Sequence, residues 1–196
     1  MPPLVVHGYR NAGAAGATFL NCHAPGQGFA GYLRALRDGR GHEFDQQPPP
    51  ADGGRPPSEA SVAGDATVVA RPGVRVALLA DAEAIALAEV AIGPGIPSPP
   101  AHVHRRHAES AYVLEGELAV TAGDRLLRAE AGTWLTVPAG VRHAFAPSGT
   151  KRVRFLTLHT PGSGFGGFVR ALRDAGADAD LELAADRAGH DRERAA

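Results

Sequence analysis

The segment from Gly95 to Gly116 constrains the chain most, because it places two histidines one residue apart and a glutamate shortly after them. On a β-strand, side chains at positions i and i+2 point to the same face, so His102 and His104 project together. A short turn over residues 105–108 then brings Glu109 back beside them on a neighbouring strand. Two imidazole nitrogens and a carboxylate that converge on one point predict ligands for a divalent metal ion.

A second segment, Gly132 to Pro147, follows at a distance typical of a hairpin and offers a third histidine, His143. Together the two segments resemble the two motifs of the cupin family. The first motif reads Gly95, His102-Val103-His104, four residues, Glu109, six residues and Gly116. The second reads Gly132, five residues, Pro138-Ala139-Gly140, two residues, His143, three residues and Pro147.

The chain departs from the family pattern at two places. The spacer between Gly95 and His102 has six residues instead of the usual five, and Pro147 stands where the family often has asparagine. Neither departure removes a ligand. The resemblance implies one divalent ion, of Fe, Mn, Ni, Cu, Co or Zn, held by His102, His104, Glu109 and His143.

The resemblance also implies a fold and a class of function. The fold is an all-β jelly-roll barrel, the double-stranded β-helix of cupins. The function is that of a small-molecule metalloenzyme resembling the quercetin-dioxygenase-like cupins, with an enol or catechol-type substrate and Glu109 as both ligand and general base. Two alternatives stay open on the same barrel: a non-catalytic binding or sensing protein, and a sugar or keto-acid isomerase.

Three aromatic residues are candidates for lining a pocket above the metal. Phe145 lies two residues after His143 and therefore shares its strand face. Tyr112 and Trp134 lie on strands next to the ligands, where packing in the core or on a sheet face is their ordinary role. His107 falls in the turn before Glu109, which predicts a position at the surface or behind the ligands.

Short apolar segments punctuated by Gly, Pro or Asp continue over most of the chain after residue 66, which is typical of an all-β barrel. The predicted strands are Thr67–Ala70, Val74–Ala80, Ala84–Ile92, Ala101–His104, Ser110–Leu114, Glu117–Thr121, Arg125–Ala129, Thr133–Val137, His143–Ala146 and Val153–His159.

An internal repeat links the two ends of the chain. Residues 19–38 match residues 155–174 without a gap at a constant offset of 136 residues, which places His7 on His143. A repeat of this length indicates a duplicated unit, so residues 1–39 are interpreted as the back half of another cupin. Within it we predict a strand over Ala17–His23 and a helix over Gly28–Arg37. His23 and its equivalent His159 precede similar turns, which predicts a structural turn role for both, and Cys22 is predicted to be a small buried apolar residue.

The chain therefore divides into four predicted segments. They are the partial repeat (residues 1–39), a Pro/Gly-rich linker (40–64), the complete barrel (65–176) and a charged tail, frayed or weakly helical and exposed (177–196). The partial repeat has three interpretations: it packs on its own barrel, it crosses to a second chain, or it marks a truncated two-barrel gene. The second, a homodimer, is favoured because the linker is long enough for exchange.

Composition excludes several other classes of function. With 20 basic and 21 acidic residues the net charge is −1, which gives no electrostatic reason to bind nucleic acid or an anionic membrane. No apolar run approaches the roughly 20 residues of a membrane span, and the first residues lack the features of a signal peptide. A single cysteine excludes a disulfide framework and favours a cytoplasmic location. The expected partner is a small-molecule ligand or substrate.

Overall fold

A computed structural model describes residues 1, 3–41, 44, 48, 50–56, 67–176 and 179–194. The chain forms two compact units, residues 1–64 and residues 65–196.

The second unit is built from two antiparallel sheets. The first sheet has six strands in the order β1-β2-β3-β10-β5-β8, and the second has five in the order β11-β4-β9-β6-β7. The strands are β1 (Thr67–Arg71), β2 (Val74–Asp81), β3 (Ala86–Ile92), β4 (His102–Val103), β5 (Ala108–Glu115), β6 (Glu117–Ala122), β7 (Arg125–Glu130), β8 (Trp134–Val137), β9 (His143–Pro147), β10 (Val153–Thr160) and β11 (Glu193–Arg194).

The two sheets enclose one apolar core. Every second residue of β3 is buried, as expected for a strand with one face against the core. Side chains from both sheets meet there, with Val113, Val153 and Phe155 at most 1% exposed. All ten predicted strands are present, with ends within two residues of the prediction. The all-β barrel predicted from the sequence is confirmed.

Gly116 allows the chain to pass from one sheet to the other between β5 and β6. Its φ is +77°, which favours glycine, and a Cβ there would lie 2.4 Å from the carbonyl oxygen of Arg152. A side chain at this corner would therefore be both strained and in collision with the backbone before β10.

Two helices pack together at one end of the barrel. Helix α2 (Phe165–Ala175) contributes Phe165, Phe168 and Val169 to an apolar cluster with residues of β1, β2 and β3. Helix α3 (Leu181–Ala188) adds Ala184 and Ala185 to the same cluster. The side chain of Asp180 accepts hydrogen bonds from two backbone N–H groups of the first turn and so caps α3.

The charged tail differs from its prediction as a frayed or weakly helical, exposed segment. It forms α3 and β11, and β11 pairs with β4. The residues between these two elements, His190 to Arg192, are at most 7% exposed. The tail is ordered because the alanine face of α3 is buried against α2, a contact that its charge pattern does not reveal.

The first unit contains one of its two predicted elements. Helix α1 (Phe29–Arg37) confirms the predicted helix. The strand predicted over Ala17–His23 is wrong, since these residues have no regular structure and Phe19 is 65% exposed. Cys22 is exposed, not buried as predicted. Much of the predicted linker, 40–64, lies outside the described residues.

Within the described residues, no helix combines the length and apolar character that a membrane crossing requires.

Candidate metal centre

Three strand ends bring the predicted ligands together. His102 lies on β4 and pairs across the sheet with His143, the first residue of β9. His104 follows β4 directly, and Glu109 is the second residue of β5. All four residues are at most 8% exposed, so water does not screen their interactions.

The three imidazoles turn the same nitrogen towards the same carboxylate oxygen. The Nε2 atoms of His104 and His143 each lie 3.1 Å from Oε2 of Glu109. The Nε2 atom of His102 lies 4.0 Å from it. One ligand atom from each residue lies within 4.8 Å of the others, which is close enough for all four to share one ion.

The opposite nitrogens determine which form each ring takes. Nδ1 of His102 lies 3.1 Å from the carbonyl oxygen of Pro100, and Nδ1 of His143 lies 2.9 Å from that of Val141. Nδ1 of His104 donates to the carbonyl oxygen of Asp191. Because a carbonyl oxygen only accepts, each Nδ1 carries a hydrogen, and the neutral form of each ring presents an Nε2 lone pair to the carboxylate.

Burial and the neighbouring charges shift the pKa values of the cluster in different directions. Burial is the main cause that lowers the pKa of His102 to about 3, so this ring is neutral. Burial alone would raise the pKa of Glu109, but His159 nearby and the close approach of His104 and His143 to its carboxylate hold that pKa well below its usual value. For His143, burial is outweighed by the bond to Glu109, which raises the pKa.

This donor set fits a divalent metal ion. Neutral imidazole nitrogens and an ionised carboxylate repel each other at these distances unless a cation or a proton lies between them. One proton could satisfy one of the three histidines, whereas a metal ion satisfies all of them at once. Nitrogen and carboxylate ligands of this kind suit Fe, Mn, Co, Ni, Cu and Zn.

Two neighbours that the sequence did not single out hold the ligands in place. The hydroxyl of Thr157 donates to Oε1 of Glu109 over 2.8 Å, which leaves Oε2 towards the histidines. Asp191 accepts from His104 through its backbone, while its carboxylate accepts from the backbone N–H of Arg106 over 2.6 Å. Such outer partners fix the orientation of metal ligands. The position of Thr157, two residues before His159 on β10, is a signal that could have identified it from the sequence. No motif marks Asp191.

The three aromatic candidates differ in whether they share a strand face with a candidate ligand. Phe145 is half-buried on the strand face of His143 and packs edge-on against Phe155, with ring centroids 5.7 Å apart. Tyr112 lies on the opposite face of β5 from Glu109. Trp134 pairs with Tyr112 and is 46% exposed. Phe145 is thus the one of the three that shares the inner face with a ligand.

His107 and His159 are both buried close to the candidate ligands. His107 is 1% exposed, so the surface position allowed by the sequence is wrong and the position behind the ligands is the observed one. His159 is 2% exposed and stacks on Phe165, with centroids 3.8 Å apart. Its Nε2 lies 3.8 Å from Oε1 of Glu109, so its surroundings include the candidate site as well as the turn.

Two surface depressions lie away from these ligands. One, of about 600 Å³, is lined by His23 and residues of the Gly26–Arg34 segment. The other, of about 470 Å³, is lined by residues 81–83 and 161–164. None of the four ligands is among the lining residues of either depression.

Comparison with known proteins identifies the family of the barrel. Residues 88–159, which include all four ligands, match the family model described as a cupin domain. No curated protein matches the chain.

Solved structures similar to the chain include several cupins. They include KdgF from Halomonas sp., with 19% identity and a TM-score of 0.43 over 54% of this chain and 89% of that one. An RmlC-like cupin from Shewanella frigidimarina has 20% identity and a TM-score of 0.45 over 52% and 88%. The polyketide cyclase RemF from Streptomyces resistomycificus has 24% identity and a TM-score of 0.44 over 52% and 78%.

The family match covers β4 to β9 and most of β3 and β10, and its bounds enclose both sequence motifs and the four converging ligands. Residues 88–159 of the second unit therefore match a cupin domain, and this unit has the cupin fold.

Proposed function

We propose that the cupin domain is a metal-dependent enzyme that acts on a small molecule of the enol or catechol type in a dioxygenase-like reaction. The observation that supports this most is the convergence of three Nε2 lone pairs on one ionised carboxylate inside the barrel. The ion is held by His102, His104, Glu109 and His143, one per barrel.

A bound divalent ion would supply Lewis acidity, which favours the ionised form of an enol or catechol hydroxyl. Carbonyl groups already orient the imidazoles of His102 and His143, so little reorganisation of these rings is needed to bind the ion. A hexacoordinate ion with four protein ligands would keep about two positions for other molecules. Vacant positions distinguish a reactive centre from a closed structural one.

Glu109 is the group that we assign to proton transfer. Its depressed pKa keeps it ionised near neutral pH, which is the form that can both bind a cation and accept a proton. Oε1 accepts from the hydroxyl of Thr157 and has a second lone pair that could accept a proton from a substrate hydroxyl. Phe145 would provide an apolar wall on the side of His143.

The experiment is an oxygen-electrode assay of tag-free protein loaded in turn with Fe, Mn, Co, Ni, Cu or Zn, with panels of flavonols and catechols. We expect oxygen uptake that requires both the metal and the substrate and that is lost in His143→Ala. His7→Ala is the matched control, because His7 lies at the equivalent position of the repeat but outside the barrel, and it should retain full activity.

Two outcomes would favour the alternatives. Tight binding of a panel member to the metal-loaded protein, without any oxygen uptake, would indicate a binding or sensing protein. Conversion of sugars or keto acids without oxygen, followed by NMR, would indicate an isomerase. Either result would contradict the dioxygenase-like assignment.

A further inference from the structure

A second group of buried histidines lies directly behind His104. It consists of His107, His159 and His190, which are 1%, 2% and 6% exposed. One nitrogen of each lies within 4.8 Å of the others and of a nitrogen of His104. The three residues come from a turn, from β10 and from the tail, so only the folded chain brings them together.

The hydrogen bonds assign a lone pair to two of these rings. Nδ1 of His107 lies 3.1 Å from the carboxylate of Asp191, and Nδ1 of His190 lies 2.9 Å from the carbonyl oxygen of Ser163. Both partners accept only, so both Nδ1 atoms carry the hydrogen. The Nε2 atoms of His107 and His190 therefore carry lone pairs.

His159 cannot satisfy both of its nitrogens as a neutral ring. Its Nδ1 lies 2.9 Å from Nε2 of His107, while its Nε2 is buried without a hydrogen-bond partner and lies 3.8 Å from Oε1 of Glu109. A hydrogen on Nδ1 leaves a buried lone pair facing the carboxylate. A hydrogen on Nε2 instead leaves two lone pairs facing each other between His159 and His107.

A cation between the rings removes this conflict. With the hydrogen of His159 on Nε2, its Nδ1 and the Nε2 of His107 become two ligands of one ion.

The spacing of the rings fits one ion. The ring centroids of His107, His159 and His190 are 5.0, 5.5 and 5.6 Å apart. Three imidazoles on a tetrahedral ion, with bonds of about 2.0–2.1 Å, would have centroids about 5 Å apart. Aromatic contacts hold two of the rings in this arrangement: His159 stacks on Phe165 and His190 on Phe168.

We propose that His107, His159 and His190 form a second metal site that takes a divalent ion favouring imidazole ligands, such as Zn, Co, Ni or Cu. His104 stays with the first ion, because its Nε2 faces Glu109 and its Nδ1 donates to Asp191. The tail completes the site by supplying His190. The site is independent of the reaction that the first ion supports.

The test is a Co²⁺ titration of the tag-free full chain after removal of metals by a chelator, followed by visible absorption and by elemental analysis of the dialysed protein. We expect two ions per chain in the wild type. His190→Ala should retain one, His102→Ala should retain the other, and the double variant should retain none. His7→Ala should retain two.

The proposal is overturned if His190→Ala retains as many ions per chain as the wild type. His190→Gln keeps the size of the side chain and covers the case in which the alanine variant fails to fold. If both variants fail to fold, the count in His102→Ala decides alone, and the loss of every ion there overturns the proposal. Failure of the first site gives a different pattern, in which a single ion is lost in His190→Ala and kept in His102→Ala.

Discussion

Residues 19–38 and 155–174 have matching sequences in different surroundings, and the comparison separates structure that is encoded locally from structure that requires partners. In both copies a phenylalanine stacks on the histidine six residues before it, with ring centroids 3.8 Å apart and ring planes 19° and 18° from parallel. In both copies a residue of positive φ and a left-handed glycine precede the helix, at Gln27-Gly28 and Ser163-Gly164.

The strand before the helix is present only in the complete copy, which is the barrel of residues 65–176, and not in the partial copy, residues 1–39. In the complete copy, β10 lies between β3 and β5 and pairs with both. The equivalent residues of the partial copy form no strand, and the structure shows no ladder for them within its described residues. A helix and a turn make their hydrogen bonds within a few residues, whereas a strand makes them with other strands.

The largest expected effect is on the free energy of unfolding when phenylalanines at equivalent positions of the two copies are replaced by alanine. Phe155 is 1% exposed and Phe19 is 65% exposed. Phe155→Ala should lower the free energy of unfolding of the barrel by about 3–5 kcal/mol, because it leaves a cavity in the core. Phe19→Ala should change it by no more than about 0.5 kcal/mol. Urea unfolding of the metal-free protein at low concentration measures both.

The same two variants also test the homodimer expected from the sequence, which stays a prediction. If a second chain covers the partial copy, Phe19→Ala should weaken self-association in analytical ultracentrifugation while unfolding at low concentration is unchanged. A cost for Phe19→Ala as large as that for Phe155→Ala, with no dependence on protein concentration, would contradict the contrast between the copies.

The next largest effect is on the pH dependence of stability in the second unit, which contains the buried histidines. The pKa of His107 and of His190 is about 4 in the folded protein, against 6.5 for an unperturbed histidine. Between these values the unfolded chain binds more protons, so stability is fully present above about pH 6.5 and is lost as the pH falls towards 4. Each should cost about 1.4 kcal/mol at pH 5.5, so the two together cost about 3 kcal/mol.

Thermal melts of the metal-free protein between pH 5 and pH 8 check this dependence. The double variant His107→Gln, His190→Gln should have a flatter profile than the wild type. An identical slope in the two proteins would show that other groups are responsible for the loss of stability in acid.

A smaller effect is expected where the two helices differ by one methyl group. Gly166 of α2 is equivalent to Ala30 of α1, and a Cβ at Gly166 would lie 2.1 Å from the carboxylate carbon of Asp81. Gly166→Ala should therefore cost about 1–3 kcal/mol, because Asp81 must move away from Arg170. Ala30→Gly should cost only about 0.5–1 kcal/mol, through helix propensity. A stabilising Gly166→Ala would show that Asp81 has room to turn.

The sequence predicted the features that are encoded locally or by motif. Glycine and proline mark the strand ends, and the His-x-His pair with Glu109 and His143 placed four residues of the candidate site. The sequence did not predict the part played by the tail, since Asp191 contacts His104 across 87 residues and nothing near it marks that contact. The strand predicted at 17–23 was wrong. A strand pattern indicates which residues suit a sheet, but it does not indicate whether neighbouring strands are present to pair with them.

The central claim is that three imidazoles and Glu109 hold a metal ion inside the complete copy. Anomalous X-ray diffraction, collected at the absorption edge of the metal found by elemental analysis, tests it most directly. We expect a peak among the Nε2 atoms of His102, His104 and His143 and the carboxylate of Glu109, and no such peak in His143→Ala crystals. Wild-type crystals grown with the metal that show no peak at this position would contradict it.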